Sequence, residues 1–222
     1  MDKNRFFKTG VAVVLVSMCV LVFCASCFIV GLSDEYDNVK APEILANTEV
    51  FLDPDDLARL HTIPDWQLEF SEMLREFGWE HSPYPVTVVS VVSCQEPTRL
   101  SALRMDFQAI EYSGLIPFKK YAIASYDQET HRVSIRIEEQ ALRLKRAREL
   151  DLAQYKVDFA GAIEIADLNG GGQYQQELDQ ECLVTGLLQD NLWKVIYSPV
   201  GSTTGPELII EIDPVSGTVK HS

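Results

Sequence analysis

The chain has 222 residues, with 19 Lys+Arg against 33 Asp+Glu and a formal net charge of −14. Its 46% hydrophobic and 23% charged residues are ordinary globular proportions, which excludes a disordered or collagen-like chain. The acid excess argues against a nucleic-acid binder, because phosphate recognition needs a net cationic face.

In chain order, Thr9–Ser33 carries no charge, with Lys3, Arg5 and Lys8 before it and Asp34, Glu35 and Asp37 after it. At about 1.5 Å per residue, roughly 20 apolar residues cross a bilayer core, so residues 9–33 predict a transmembrane anchor. The positive-inside bias places residues 1–8 in the cytoplasm and the rest beyond the cell membrane, a single-pass arrangement. A cleaved signal has a shorter apolar region, about 7–15 residues, and ends at a small-residue site. That leaves two alternatives to an anchor: cleavage, and a lipoprotein with Cys27 as the lipidated residue. Cys19, Cys24 and Cys27 fall in this segment; Cys94 and Cys182 lie beyond it. An extracytoplasmic setting permits a Cys94–Cys182 disulfide if their Cα atoms come within about 7 Å. Two buried free thiols are the other reading.

Residues 34–53 read as an acidic linker containing Pro42. Asp53-Pro54-Asp55-Asp56 then starts a short helix: Asp53 caps it, Pro54 suits the first turn, and the acids favour the positive end of the dipole. A second helix runs from about Asp65 to Gly78, with Trp66, Phe70, Met73, Leu74 and Phe77 on one face. The period then changes to that of strands. Val86–Ser93 is rich in β-branched residues, Leu100–Phe107 follows, and Phe118–Tyr126 and Arg132–Ile137 form a hairpin. Glu138–Leu150 reads as a helix from its composition. Residues 54–150 thus form one α+β domain. A second unit, 151–222, opens with a helix capped by Asp158 and carrying Phe159, Ala162, Ile163 and Ala166. It continues with strands 181–188, 192–197 and 207–212. The overall expectation is helices packed on antiparallel sheets, in two small units in tandem.

The order of parts in residues 158–220 carries a resemblance. A helix with an Ala-Ile face is followed by a Gly-rich turn, a strand, a strand with Trp193-Lys194-Val195, and then ELIIEIDPVSGTVK from Glu207 to Lys220. This resembles the PepSY domain of peptidase propeptides and membrane-anchored bacterial proteins. Ser216 stands where Thr is common in that family. The turn Asp127-Gln128-Glu129-Thr130-His131 occupies the corresponding place in residues 66–137, without a Gly, and suggests a diverged upstream copy. The resemblance implies a module that binds or restrains a partner protein such as a peptidase or other envelope protein. It implies no catalytic residues; from spacing and charge, no metal, cofactor or nucleic-acid partner is expected.

Candidate chemistry is sparse. Gly170–Gly172 follows a helix, whereas a nucleotide-binding loop follows a strand, so it is a helix stop. Gly201-Ser202-Thr203-Thr204-Gly205 has Thr where a nucleophile elbow needs Ser. His61, His81, His131 and His221 have no metal-ligand spacing, and Asp53, Asp55 and Asp56 lack the pattern of a calcium loop. The basic residues Arg132, Arg136, Arg143, Lys145, Arg146 and Arg148 form an island on an acidic protein. They are a candidate docking surface for an acidic partner, against the plainer reading of a solvated face. The function expected is a membrane-anchored, non-enzymatic interaction module. The rivals are a carboxylate-dependent hydrolase and a structural subunit of an envelope complex.

Overall fold

The computed structural model describes residues 43–113, 116–141, 147–178, 181–200 and 207–220. Its strands are β1 (Glu43–Phe51), β2 (Thr87–Ser93), β3 (Leu100–Ser113), β4 (Ile116–Asp127), β5 (Arg132–Ala141), β6 (Cys182–Gln189), β7 (Leu192–Pro199), β8 (Leu208–Ile212) and β9 (Val219–Lys220). Its helices are α1 (Pro54–Leu57), α2 (Ile63–Glu76), α3 (Phe159–Ala166) and α4 (Gly172–Glu177). All nine strands form a single antiparallel sheet in the order β1-β5-β4-β3-β2-β6-β7-β8-β9. Two four-strand meanders, β2–β5 and β6–β9, meet at their first strands, where Ser90 lies opposite Gly186. Helix α2 precedes the first meander and α3–α4 the second.

This corrects the expected architecture of two units with separate sheets. Strand β2 has polar partners to satisfy on both edges and finds them in β3 and β6. The core is likewise a single cluster, running from Trp66, Phe70 and Leu74 through Val88, Met105 and Ile135 to Phe159, Trp193 and Ile212. Two local assignments change with it. Glu43–Phe51, read as linker, is the edge strand β1, and it turns Ala46, Thr48 and Val50 inward against Ile137, Ile135 and Val133. Glu138–Ala141, read as the start of a helix, continues β5, because β4 extends alongside it from Tyr121 to Phe118.

The membrane expectation is corrected too. The segment 9–33 lies outside the described residues. Among the described residues no helix is long and apolar enough to cross a membrane. The longest, α2, has 14 residues, about 21 Å, and one polar face. The structure therefore supplies no membrane-crossing helix to support a single-pass protein at the cell membrane.

Local chemistry explains the helix starts and turns. Thr62 and Asp65 form a capping box on α2: the Thr62 N–H donates to Asp65 Oδ2 at 2.8 Å, and the Asp65 N–H to Thr62 Oγ1 at 3.3 Å. Asp158 caps α3 through the Gly161 N–H at 2.9 Å. The β6–β7 hairpin turns on Asp190 (φ 52°) and Asn191 (φ 59°), the paired left-handed residues of a two-residue turn. Cys94 and Cys182 form a disulfide with Cα atoms 5.5 Å apart, joining the end of β2 to the start of β6. The two meanders are thus linked covalently as well as by the ladder between them.

Candidate functional site

The described helices sit on one face of the sheet. Alternation along the strands sends Val88, Ser90 and Val92 of β2, and Val184, Gly186 and Leu188 of β6, into the buried face. Their neighbours Val89, Val91, Leu183 and Leu187 point to the other side, where they are partly exposed and lie outside the core cluster. Among the described residues no helix packs on that side.

The open face has an ordered chemistry. Val89 lies opposite Leu187, Val91 opposite Thr185, Thr185 opposite Ile196, and Ile196 opposite Ile209. Such cross-strand pairs place side chains about 4.5–5.5 Å apart, so these residues form a continuous apolar strip over the β2–β6 seam. Ile209 is 52% exposed. The charges flanking the strip are spent on one another. Arg104 meets Asp106 at 2.7 Å and Lys194 meets Glu211 across the strands at 3.0 Å; far from the strip, at the β1–β5 edge, Arg132 meets Glu49 at 2.6 Å and Arg136 meets Glu138 at 2.7 Å. Paired charges around an apolar centre are the layout of an interface core with a polar rim. At one end Ala147 reaches this face, where its N–H donates to Gln108 Oε1 at 2.8 Å.

The basic residues singled out in the sequence do not converge. Arg132 and Arg136 are on β5, next to the edge, and each is ion-paired as above. Arg148 is exposed and stands by the β6–β7 turn, with β4, β3 and β2 between. With the Asn191 amide turned to suit its neighbours, its oxygen accepts from Arg148 Nη1 and Nη2 at 3.0 and 2.9 Å. Arg143, Lys145 and Arg146 lie outside the described residues. The strip residues were missed as a site. Their signal was that β2 and β6 are apolar at both alternate positions, the pattern of strands covered on both faces.

Elsewhere the titratable groups serve structure. Glu111 bridges Lys120 and His81, each at 2.8 Å, and Lys120 above all holds its carboxyl below the usual range. The Tyr197 hydroxyl donates to Asp167 Oδ1 at 2.7 Å, and burial pushes that phenol far up. Among the described residues no group of His, Cys, Asp or Glu is arranged to hold a metal ion.

No family model matches the chain, and no curated protein matches it. Among solved structures it is similar to the full-length peroxisomal multifunctional enzyme type 2 from Drosophila melanogaster. The identity is 8% and the TM-score 0.23, over 90% of this chain and 50% of that one. The chain thus spans about half the length of that protein, and a likeness of this size carries no argument.

Proposed function

We propose that this protein is a non-enzymatic interaction module that binds and restrains another protein, such as a peptidase, through the open face of its sheet. The observation that carries the reading is the strip Val89, Val91, Leu183, Leu187, Ile196 and Ile209, framed by charges that pair among themselves. Apolar surface with its own charges neutralised gains most when water is excluded from it. Nine strands joined edge to edge, with a disulfide at the centre, present that surface with little conformational freedom to lose on binding.

The PepSY-like reading of residues 158–220 points the same way, and what supports it is local. Asp213 Oδ1 accepts from the Val215 and Ser216 N–H groups at 2.9 Å each, and Gly217 closes the turn with φ 74° before the short last strand. The test is co-purification of the full-length protein with its partner, set beside a Leu187→Glu variant. The partner is expected to be retained by the native chain and lost by the variant, with the unfolding midpoint unchanged. Equal recovery by both would overturn the assignment of the binding face.

A further inference from the structure

On the opposite side of the sheet, at the starts of α2 and α3, lies a cleft of about 520 Å³. This is the size of a small-molecule site. Its wall is aromatic: Trp66 of α2, Tyr126 of β4 and Phe159 of α3, with the Trp66 and Tyr126 rings 4.6 Å apart. Its rim is cationic or neutral, with Arg99, His131 and His61. Among the described residues the one lining carboxylate is Asp158, and that is engaged in capping α3. On a chain of net charge −14 the formal charges of this lining balance, Arg99 against Asp158, so the cleft escapes the general acid excess.

Three features set this cleft apart from a packing gap. Tyr126 is 6% exposed, yet its hydroxyl makes no hydrogen bond among the described residues. Burial holds the phenol above its ordinary pKa, so it stays a neutral donor. Arg99 is braced at the mouth: with the Gln128 amide turned to satisfy its neighbours, its oxygen accepts from Arg99 Nη2 at 2.9 Å while its nitrogen donates to Leu100 O at 3.0 Å. The remaining partner of Arg99 is Glu96 at 3.4 Å, an exposed pair worth little.

The third feature is His131, whose backbone is left-handed at φ 53°. The turn before β9 in the other meander has Asp213 and Gly217 where the turn before β5 has Asp127 and His131. Each aspartate accepts backbone N–H bonds from its own turn. Gly217 meets the left-handed requirement without a Cβ, at φ 74°. The first meander instead holds a histidine in that conformation, and its side chain lines the cleft. Strain retained next to a cavity is a mark of use.

We infer that this cleft binds a small organic acid with an aromatic body, set against the wall formed by Trp66, Tyr126 and Phe159, its carboxylate held by Arg99, His131 and the Tyr126 hydroxyl. The site is separate from the open face, and the inference stands or falls apart from the partner-binding reading.

The test is calorimetric titration of the full-length protein with 2-naphthylacetate, its uncharged amide, and 2-(2-naphthyl)ethylamine. The acid is expected to bind at least tenfold more tightly than the amide, with the amine weakest. Arg99→Ala and His131→Gly are each expected to weaken the acid at least fivefold and to leave the amide unchanged. His131→Gly removes the imidazole and the strain together, so its thermal midpoint should hold or rise. That separates loss of a ligand contact from loss of the fold. Equal binding of acid and amide, preference for the amine, failure of all three to bind, or indifference to both substitutions would each overturn the inference.

Discussion

Gly186 and Phe159 provide a quantitative check on the seam of the fold. Gly186 faces the core from β6, and the Phe159 ring lies directly on it, so that a Cβ at 186 would overlap the ring. The ring in turn packs 5.7 Å from Trp193. Gly186→Ala must push the ring aside or lift the start of α3, an overpacking cost of about 1–3 kcal/mol. Phe159→Ala removes a side chain that is 6% exposed and leaves a cavity, costing about 3–5 kcal/mol. In the double variant the alanine methyl at 186 meets no ring and fills part of the space. The double cost is therefore expected to fall short of the sum by at least about 1 kcal/mol. Urea unfolding followed by tryptophan fluorescence reads all four proteins, and Trp193 reports on the site itself. Additivity within about 0.5 kcal/mol would refute the argument that the glycine exists to admit the ring.

Three further outcomes follow from the same structure. Replacing both Cys94 and Cys182 by Ser should lower stability by about 2–4 kcal/mol. The 88-residue separation sets a loop-entropy ceiling of about 4.6 kcal/mol, and an unchanged urea midpoint would contradict the linkage. Ser90→Ala should raise stability by about 1 kcal/mol, because the Ser90 hydroxyl is fully buried without a hydrogen-bond partner among the described residues. A loss of that size would mean that the hydroxyl is bonded. Asp65 is held below its usual pKa first by the Thr62 hydroxyl and then by the Thr62 N–H. Its stabilisation is therefore full above the unfolded carboxylate range, about pH 4, and lost as pH falls through the lower folded value. Asp65→Asn should lose less stability than the native protein between pH 6 and pH 3; equal losses would refute the capping assignment.

Local elements could be read from the sequence wherever the signal was local. The apolar face of α2, the Asp53 and Asp158 caps and the Asp190-Asn191 turn each follow from residues within a few positions. The joining of β2 to β6 could not be read so. Ser90 and Gly186 are far apart in the chain, and nothing near either names the other. Composition misled at Glu138–Ala141, where helix-favouring residues are overridden by pairing with β4. Acidity hid the alternation of β1, whose inward positions Ala46, Thr48 and Val50 are only weakly apolar as a set. Both candidate sites share this cause. The open strip draws on β2, β6, β7 and β8, and the cleft on α2, β4, α3 and two turns. Each exists only once the sheet is assembled.

The central claim is that the open face is where a partner binds, and site-specific photocrosslinking in cells tests it most directly. A photoreactive residue would be installed singly at Val91, at Leu187, or at the exposed Leu68 on α2. A partner seated on the open face gives one recurrent adduct from Val91 and Leu187, of a mass matching a different protein, and none from Leu68. Adducts from Leu68 alone, adducts of equal yield from all three, or no adduct from the strip would contradict it.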